Sequence, residues 1–110
     1  MDSMVAKVTY ASVSGATVFT LPANCVVHRT AFVVTVAWDG SAPTVLLGVN
    51  ADQDRYLGSG EVDLGTIGVY QDSSMWVQTG SHQVRPVFEH DSSTAGEAYI
   101  VMEYEDVEGL

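Results

Sequence analysis

From Cys25 to Trp38 the chain runs fourteen residues with neither glycine nor proline. Phe32, Val34, Val36 and Trp38 recur at period two, with Val33, Thr35 and Ala37 in the alternate places. Period two belongs to a β-strand, and branched side chains suit its pleated surface. A strand that is apolar on both faces needs cover on both. One cover is the opposing sheet, and the other is a second subunit. The segment is therefore read as a central strand, with a bend near Arg29-Thr30. Phe32, Val34, Val36 and Trp38, with Asp39 and Pro43 of the following loop, are the candidate interface residues.

The rest of the chain is cut into short pieces by ten glycines and three prolines. Val, Thr and Ile make up 29 of the 110 residues. Strands are predicted over Val5–Ala11, Thr17–Leu21, Thr44–Val49, Met75–Thr79, His82–His90 and Glu97–Tyr104. Pro22 stops one of them, and Pro86 marks an edge or a bulge in another. Asp39-Gly40 reads as a tight turn. Asn50–Arg55 reads as a polar loop, Tyr56-Leu57 as a short strand or turn, and Val62–Tyr70 as irregular chain with one helical turn. The tail from Glu105 to Leu110 reads as acidic and frayed, and the N-terminus as a short flexible segment. About eight short strands at ten-residue spacing predict a single all-β domain over residues 1–110. A jelly-roll-like β-sandwich is the first choice. An immunoglobulin-like sandwich without its disulfide is the second.

Charge excludes whole classes of partner. Fourteen acidic residues face four basic ones, a net charge of −10, and Lys7 is the only lysine. Nucleic-acid and anionic-membrane binding both run on clustered Lys and Arg, so neither is expected. Charged residues make up only 16% of the chain, against about 25% in an average domain. That shortage also points to surface hidden against partners. No apolar run is long enough to span a membrane, and Met1–Met4 does not read as a secretory signal.

Chemistry is hard to place. Cys25 is the one cysteine and reads as a buried apolar residue. His28 lies three residues on, which in a strand is the opposite face. His82 and His90 bracket one strand about 26 Å apart, too far to share a metal. Asn50–Asp54 offers alternating oxygen ligands for calcium, with Glu61 twelfth in a loop counted from Asn50. Arg55, however, stands where such a loop needs glycine. The segment reads instead as a solvated turn. Gly58-Ser59-Gly60 is a turn without the lysine or helix of a phosphate cradle. No nucleophile elbow and no cleft with paired carboxylates is visible. No catalytic residue, metal or cofactor is therefore expected. Trp38, Tyr56, Tyr70 and Trp76 read as core or interface aromatics, with sugar stacking as the alternative.

One ordered set of segments is more specific. It begins with Phe19-Thr20-Leu21-Pro22-Ala23 and continues with Ala37-Trp38-Asp39-Gly40-Ser41-Ala42-Pro43-Thr44-Val45, then Gly48 and Asp52–Leu57. Glu61-Val62-Asp63-Leu64 follows, and Thr94-Ala95-Gly96-Glu97-Ala98 leads into Tyr99–Tyr104. Across residues 17–104 this resembles small virion proteins of tailed bacteriophages, the head-decoration or cement proteins, whose modules also occur in fibres and tails. The resemblance implies a β-sandwich subunit without catalytic residues. It would be made in the host cytoplasm and would bind the major capsid protein on the virion exterior as a homotrimer. The N-terminal segment, the Asp39–Pro43 loop and the acidic tail are the expected contacts. A glycan-binding or structural module of a head fibre, tail fibre or spike is the alternative function.

Overall fold

The computed structural model describes residues 2–49, 52–58, 60–73, 75–78 and 81–107. Nine strands are assigned among them: β1 (Asp2–Thr9), β2 (Phe19–Leu21), β3 (Cys25–Val36), β4 (Thr44–Val49), β5 (Asp52–Leu57), β6 (Gly68–Asp72), β7 (Trp76–Gln78), β8 (His82–Glu89) and β9 (Glu97–Asp106). They form two antiparallel sheets that pack as a sandwich. The longer sheet has the order β1-β9-β3-β6, with β7 also on β3, and the shorter has β2-β8-β4-β5. β6 pairs with Thr30–Val34 and β7 with Cys25–Val27, so the two lie end to end along one edge of β3. No helix occurs among the described residues.

The predicted central strand is central. β3 is held by β9 along nearly its whole length. Its inward set changes parity at a register shift between Val27 and Arg29. Cys25 and Val27 point inward before the shift, and Thr30, Phe32 and Val34 after it; all are buried. The extra residue is His28, one place before the predicted bend. A bulge of this kind keeps the apolar side chains of a twisted strand aimed at the core on both sides of the bend. From the other sheet the core takes Phe19, Leu21, Val45, Leu47, Val49, Leu57, Val84 and Phe88.

Several boundaries differ from the sequence reading. Asp52–Leu57 is a strand rather than a polar loop and turn. It lies at a sheet edge, paired on one side with β4. An edge strand tolerates Asp, Gln and Arg on its solvent side, and those residues hid it. Gly68–Asp72 is a strand where irregular chain was expected. Asp2 and Ser3 belong to β1, paired with Tyr104 and Glu103, rather than to a flexible segment. Glu105 and Asp106 extend β9 and pair with Val26 and Cys25, so the expected frayed tail is ordered at least to there. Asn50 and Ala51 of the candidate calcium loop, Ser59 of the glycine turn, and residues 108–110 of the tail lie outside the described residues.

Candidate functional site

Two places hold the residues that the sequence singled out. The first is the loop end of the sandwich. Trp38 is buried at 2% exposure, its ring roughly parallel to Phe88 at 6.1 Å between centroids and coplanar, edge to edge, with His90 at 6.4 Å. Its indole Nε1–H donates to His90 Nδ1 at 3.1 Å. His90 Nδ1 is thus an acceptor, so the proton sits on Nε2, which reaches the Ser12 carbonyl oxygen at 2.8 Å. His90 is a structural residue fixed at both ring nitrogens. On the other side of the indole lies Gly96, where a Cβ atom would collide with the ring. Only glycine permits that approach.

Asp39 closes the same end. Its carboxylate accepts from the Thr94 backbone N–H at 2.6 Å, the Thr94 hydroxyl at 2.7 Å and the Ala95 N–H at 3.3 Å. The hydroxyl and then the backbone N–H of Thr94 hold the Asp39 carboxyl below its ordinary pKa. The Gly40 N–H donates to Ser93 Oγ, and the Ala42 N–H to Asp91 Oδ2. Asp39-Gly40 is therefore not a hairpin turn. A Cβ on Gly40 would collide with the Asp91 carbonyl oxygen, so the glycine serves close approach between two loops. The two most distinctive motifs, Asp39–Thr44 and Ser93–Ala98, meet each other here. Their polar groups are spent inside the chain.

The second place is the outer face of the longer sheet. The register sets Val5, Val101, Ala31 and Gln71 in one row across β1, β9, β3 and β6. Lys7, Tyr99, Val33 and Val69 form the next row. Val5 and Val69 are 62% and 61% exposed, and Ile67 and Val36 are exposed beside them. Each end of this apolar band carries a compensated charge. Lys7 Nζ lies 3.5 Å from Glu97 Oε1 at one end. At the other, Arg29 Nε donates to Glu103 Oε1 at 2.6 Å, and Arg29 Nη1 to Gln71 Oε1 at 2.7 Å.

The candidate interface residues divide between these places. Phe32, Val34 and Trp38 are core residues with no surface to offer a neighbour, which corrects their assignment to an interface. Val36, Asp39 and Pro43 are at least partly exposed, with Asp39 bound to Thr94. The residues that the sequence reading missed are Val5, Val69, Tyr99 and Val101. Val5, Tyr99 and Val101 lie in predicted strands and Val69 in the segment read as irregular chain, and only the strand pairing brings them onto one face. Of the aromatics, Tyr56 is buried, and the Arg55 guanidinium lies 5.2 Å over the ring of half-buried Trp76. Tyr70 is half-buried, with its hydroxyl on the Thr66 carbonyl oxygen. Cys25 is fully buried. Among the described residues no three His, Cys, Asp or Glu side chains converge on a metal position.

No family model matches this sequence, and no curated protein matches it. Solved structures do. A chain of the acid-stable capsid structure of Helicobacter pylori bacteriophage KHP30 superposes with a TM-score of 0.72 at 15% identity, covering 93% of this chain and 86% of that one. A chain of the cyanophage Pam1 capsid asymmetric unit gives 0.75 at 18% identity, covering 96% and 84%. At such identities the likeness is one of fold, and it extends over almost the whole domain.

Proposed function

We propose that this chain is a structural protein of a bacteriophage virion. In this reading it is a capsid decoration, or cement, protein that binds the outside of the major capsid shell as an oligomer and stabilises it. The observation that carries the reading is the fold shared, nearly end to end, with chains of two phage capsid structures. Coverage is high in both directions, so those chains are little longer than this one. The strand order supports reading the sandwich as a jelly roll: without the short β7 it is eight strands in two four-stranded sheets, linked by crossings between them.

The action is mechanical. A small subunit that touches two shell proteins at once adds interface area to a joint loaded by packaged DNA, at about 25 cal/mol for each Å² of apolar surface covered. The acidic surface, with its net charge of −10, would seek basic patches on the shell. The protein would be made in the host cytoplasm and finish on the virion exterior. It would catalyse nothing and hold no cofactor.

Electron cryomicroscopy of the intact virion tests the reading, together with co-sedimentation of purified protein with empty shells. The expected result is density for this sandwich on the outer shell surface, and shells that resist heating better when loaded. A chain that is absent from virions and stays in the supernatant overturns it.

A further inference from the structure

We propose that the outer face of the β1-β9-β3-β6 sheet is a self-recognition surface, on which a second copy of this chain packs face to face about a two-fold axis. The axis runs along the strands, between β9 and β3. This goes beyond the capsid reading and does not depend on it.

Three observations converge. The first is exposed apolar surface placed in register. Val5 and Val69 are more than half exposed, with Val33, Tyr99 and Val101 between them at intermediate exposure. Contiguous apolar surface on a monomer marks a contact site.

The second is charge. With a net charge of −10, two copies of this chain repel one another in most orientations. On this face the charges nearly cancel, because Lys7 offsets Glu97 and Arg29 offsets Glu103, which leaves Glu105, 3.9 Å from His28, as the excess acid. Two of the chain's four basic residues are gathered here. A copy approaching this face meets far less charge of its own sign than the net −10 of the chain implies.

The third is self-complementarity. A two-fold axis between β9 and β3 keeps the rows level and lays β9 on the second copy's β3. Glu103 then faces the second copy's Arg29, since the two share a row. Val101 faces the row of Ala31, which is itself buried and leaves a shallow place there, and the large Tyr99 faces Val33. Acid meets base on the two central strands, as an isologous contact requires, while the outer strands set Val5 opposite Gln71 and Lys7 opposite Val69. Aligned packing of two sheets tolerates this arrangement with a rotation of about 30°.

Area sets the strength. Four strands about 4.8 Å apart and five to twelve residues long offer on the order of 500 Å² of flat face. That is below the ~800 Å² each partner gives to a standard interface, so association should be micromolar. The resemblance in sequence implied a trimer, whereas this face closes with two copies.

Sedimentation equilibrium on the isolated chain, without capsid, up to ~100 μM tests the proposal. Wild type should form dimers. Arg29→Glu and Glu103→Arg should each weaken association on the order of tenfold or more, because each puts like charges opposite one another. An equal mixture of the two variants should restore association as a heterodimer, since each acidic pair then meets a basic pair. A purely intramolecular role for the ion pair would give no such rescue. Val33→Lys, in the middle of the band, should yield folded monomer by circular dichroism. A monomeric wild type, a trimer, or a mixture no tighter than its components overturns the proposal. Loss of capsid binding with the dimer intact would instead count against the capsid reading alone.

Discussion

The loop end around Trp38 and the outer face of the longer sheet are built from the same kinds of residue and have opposite fates. At the loop end each group that could attract a partner already has one in the chain. The Trp38 indole N–H has His90, the Asp39 carboxylate has Thr94 and Ala95, and the Gly40 N–H has Ser93. On the outer face the side chains are in register with one another, yet Val5 and Val69 remain mostly in water. The difference separates residues that specify the fold from residues left over for assembly. A distinctive motif is therefore weak evidence for an interface. The plain valines of β1, β9 and β6 are the better candidates.

The comparison breaks most easily at the loop end. Trp38→Ala removes a ring packed among Phe88, His90 and Gly96, and should cost about 3–5 kcal/mol of stability. Total stability for a domain is only about 5–15 kcal/mol, so the variant should be marginal. Urea unfolding measures it. A loss below about 1 kcal/mol would mean that this end is not the packed structure described.

His90→Phe asks a narrower question. The stack on Phe88 is kept, but the Trp38 N–H loses its acceptor and the Ser12 carbonyl its donor. An unsatisfied buried donor costs about 1–3 kcal/mol, and the same titration should show a loss in that range. An unchanged midpoint would leave the aromatic stack, rather than the hydrogen bonds, as what holds the loops.

On the outer face the expectation reverses. Val5→Ser removes an exposed methyl pair and should change monomer stability by no more than about 0.5 kcal/mol. Self-association should nevertheless weaken measurably in sedimentation. If stability falls while association holds, the distinction between the two regions fails.

Much of this was legible in the residues. The alternation in Cys25–Trp38 identified the central strand. Period two yields two sets of side chains, however, and does not say which is inside. The choice of Phe32 and Val34 for the interface took the inward set. The bulge at His28 and the pairing with β9 decide the matter, and both are properties of contacts far apart in sequence. The same holds for β5, whose polar residues are tolerated only because it is an edge. It holds too for Asp39-Gly40, whose turn chemistry serves a contact with Thr94 some 55 residues away.

The smallest effect is the most specific. The Thr94 hydroxyl and N–H favour the ionised form of Asp39, so its pKa in the fold lies below the ordinary 3.8. A carboxylate depressed on folding contributes stability that is full well above its unfolded pKa. That contribution fades as pH falls through the folded value. Wild type should therefore be more stable than Asp39→Asn at pH 7, by a margin that narrows below about pH 4. The amide of that variant keeps one oxygen acceptor but no charge, so the narrowing margin isolates the charge itself. Asp39 is exposed and water screens it, so the margin should be slight and should shrink further in high salt. Thermal unfolding of both proteins from pH 7 to pH 3 measures it. A margin that stays constant across that range would mean the loops are joined by hydrogen-bond geometry alone. The loop end would then owe its closure to Thr94 and Ser93 rather than to the carboxylate, and Asp39 would become available to a partner after all.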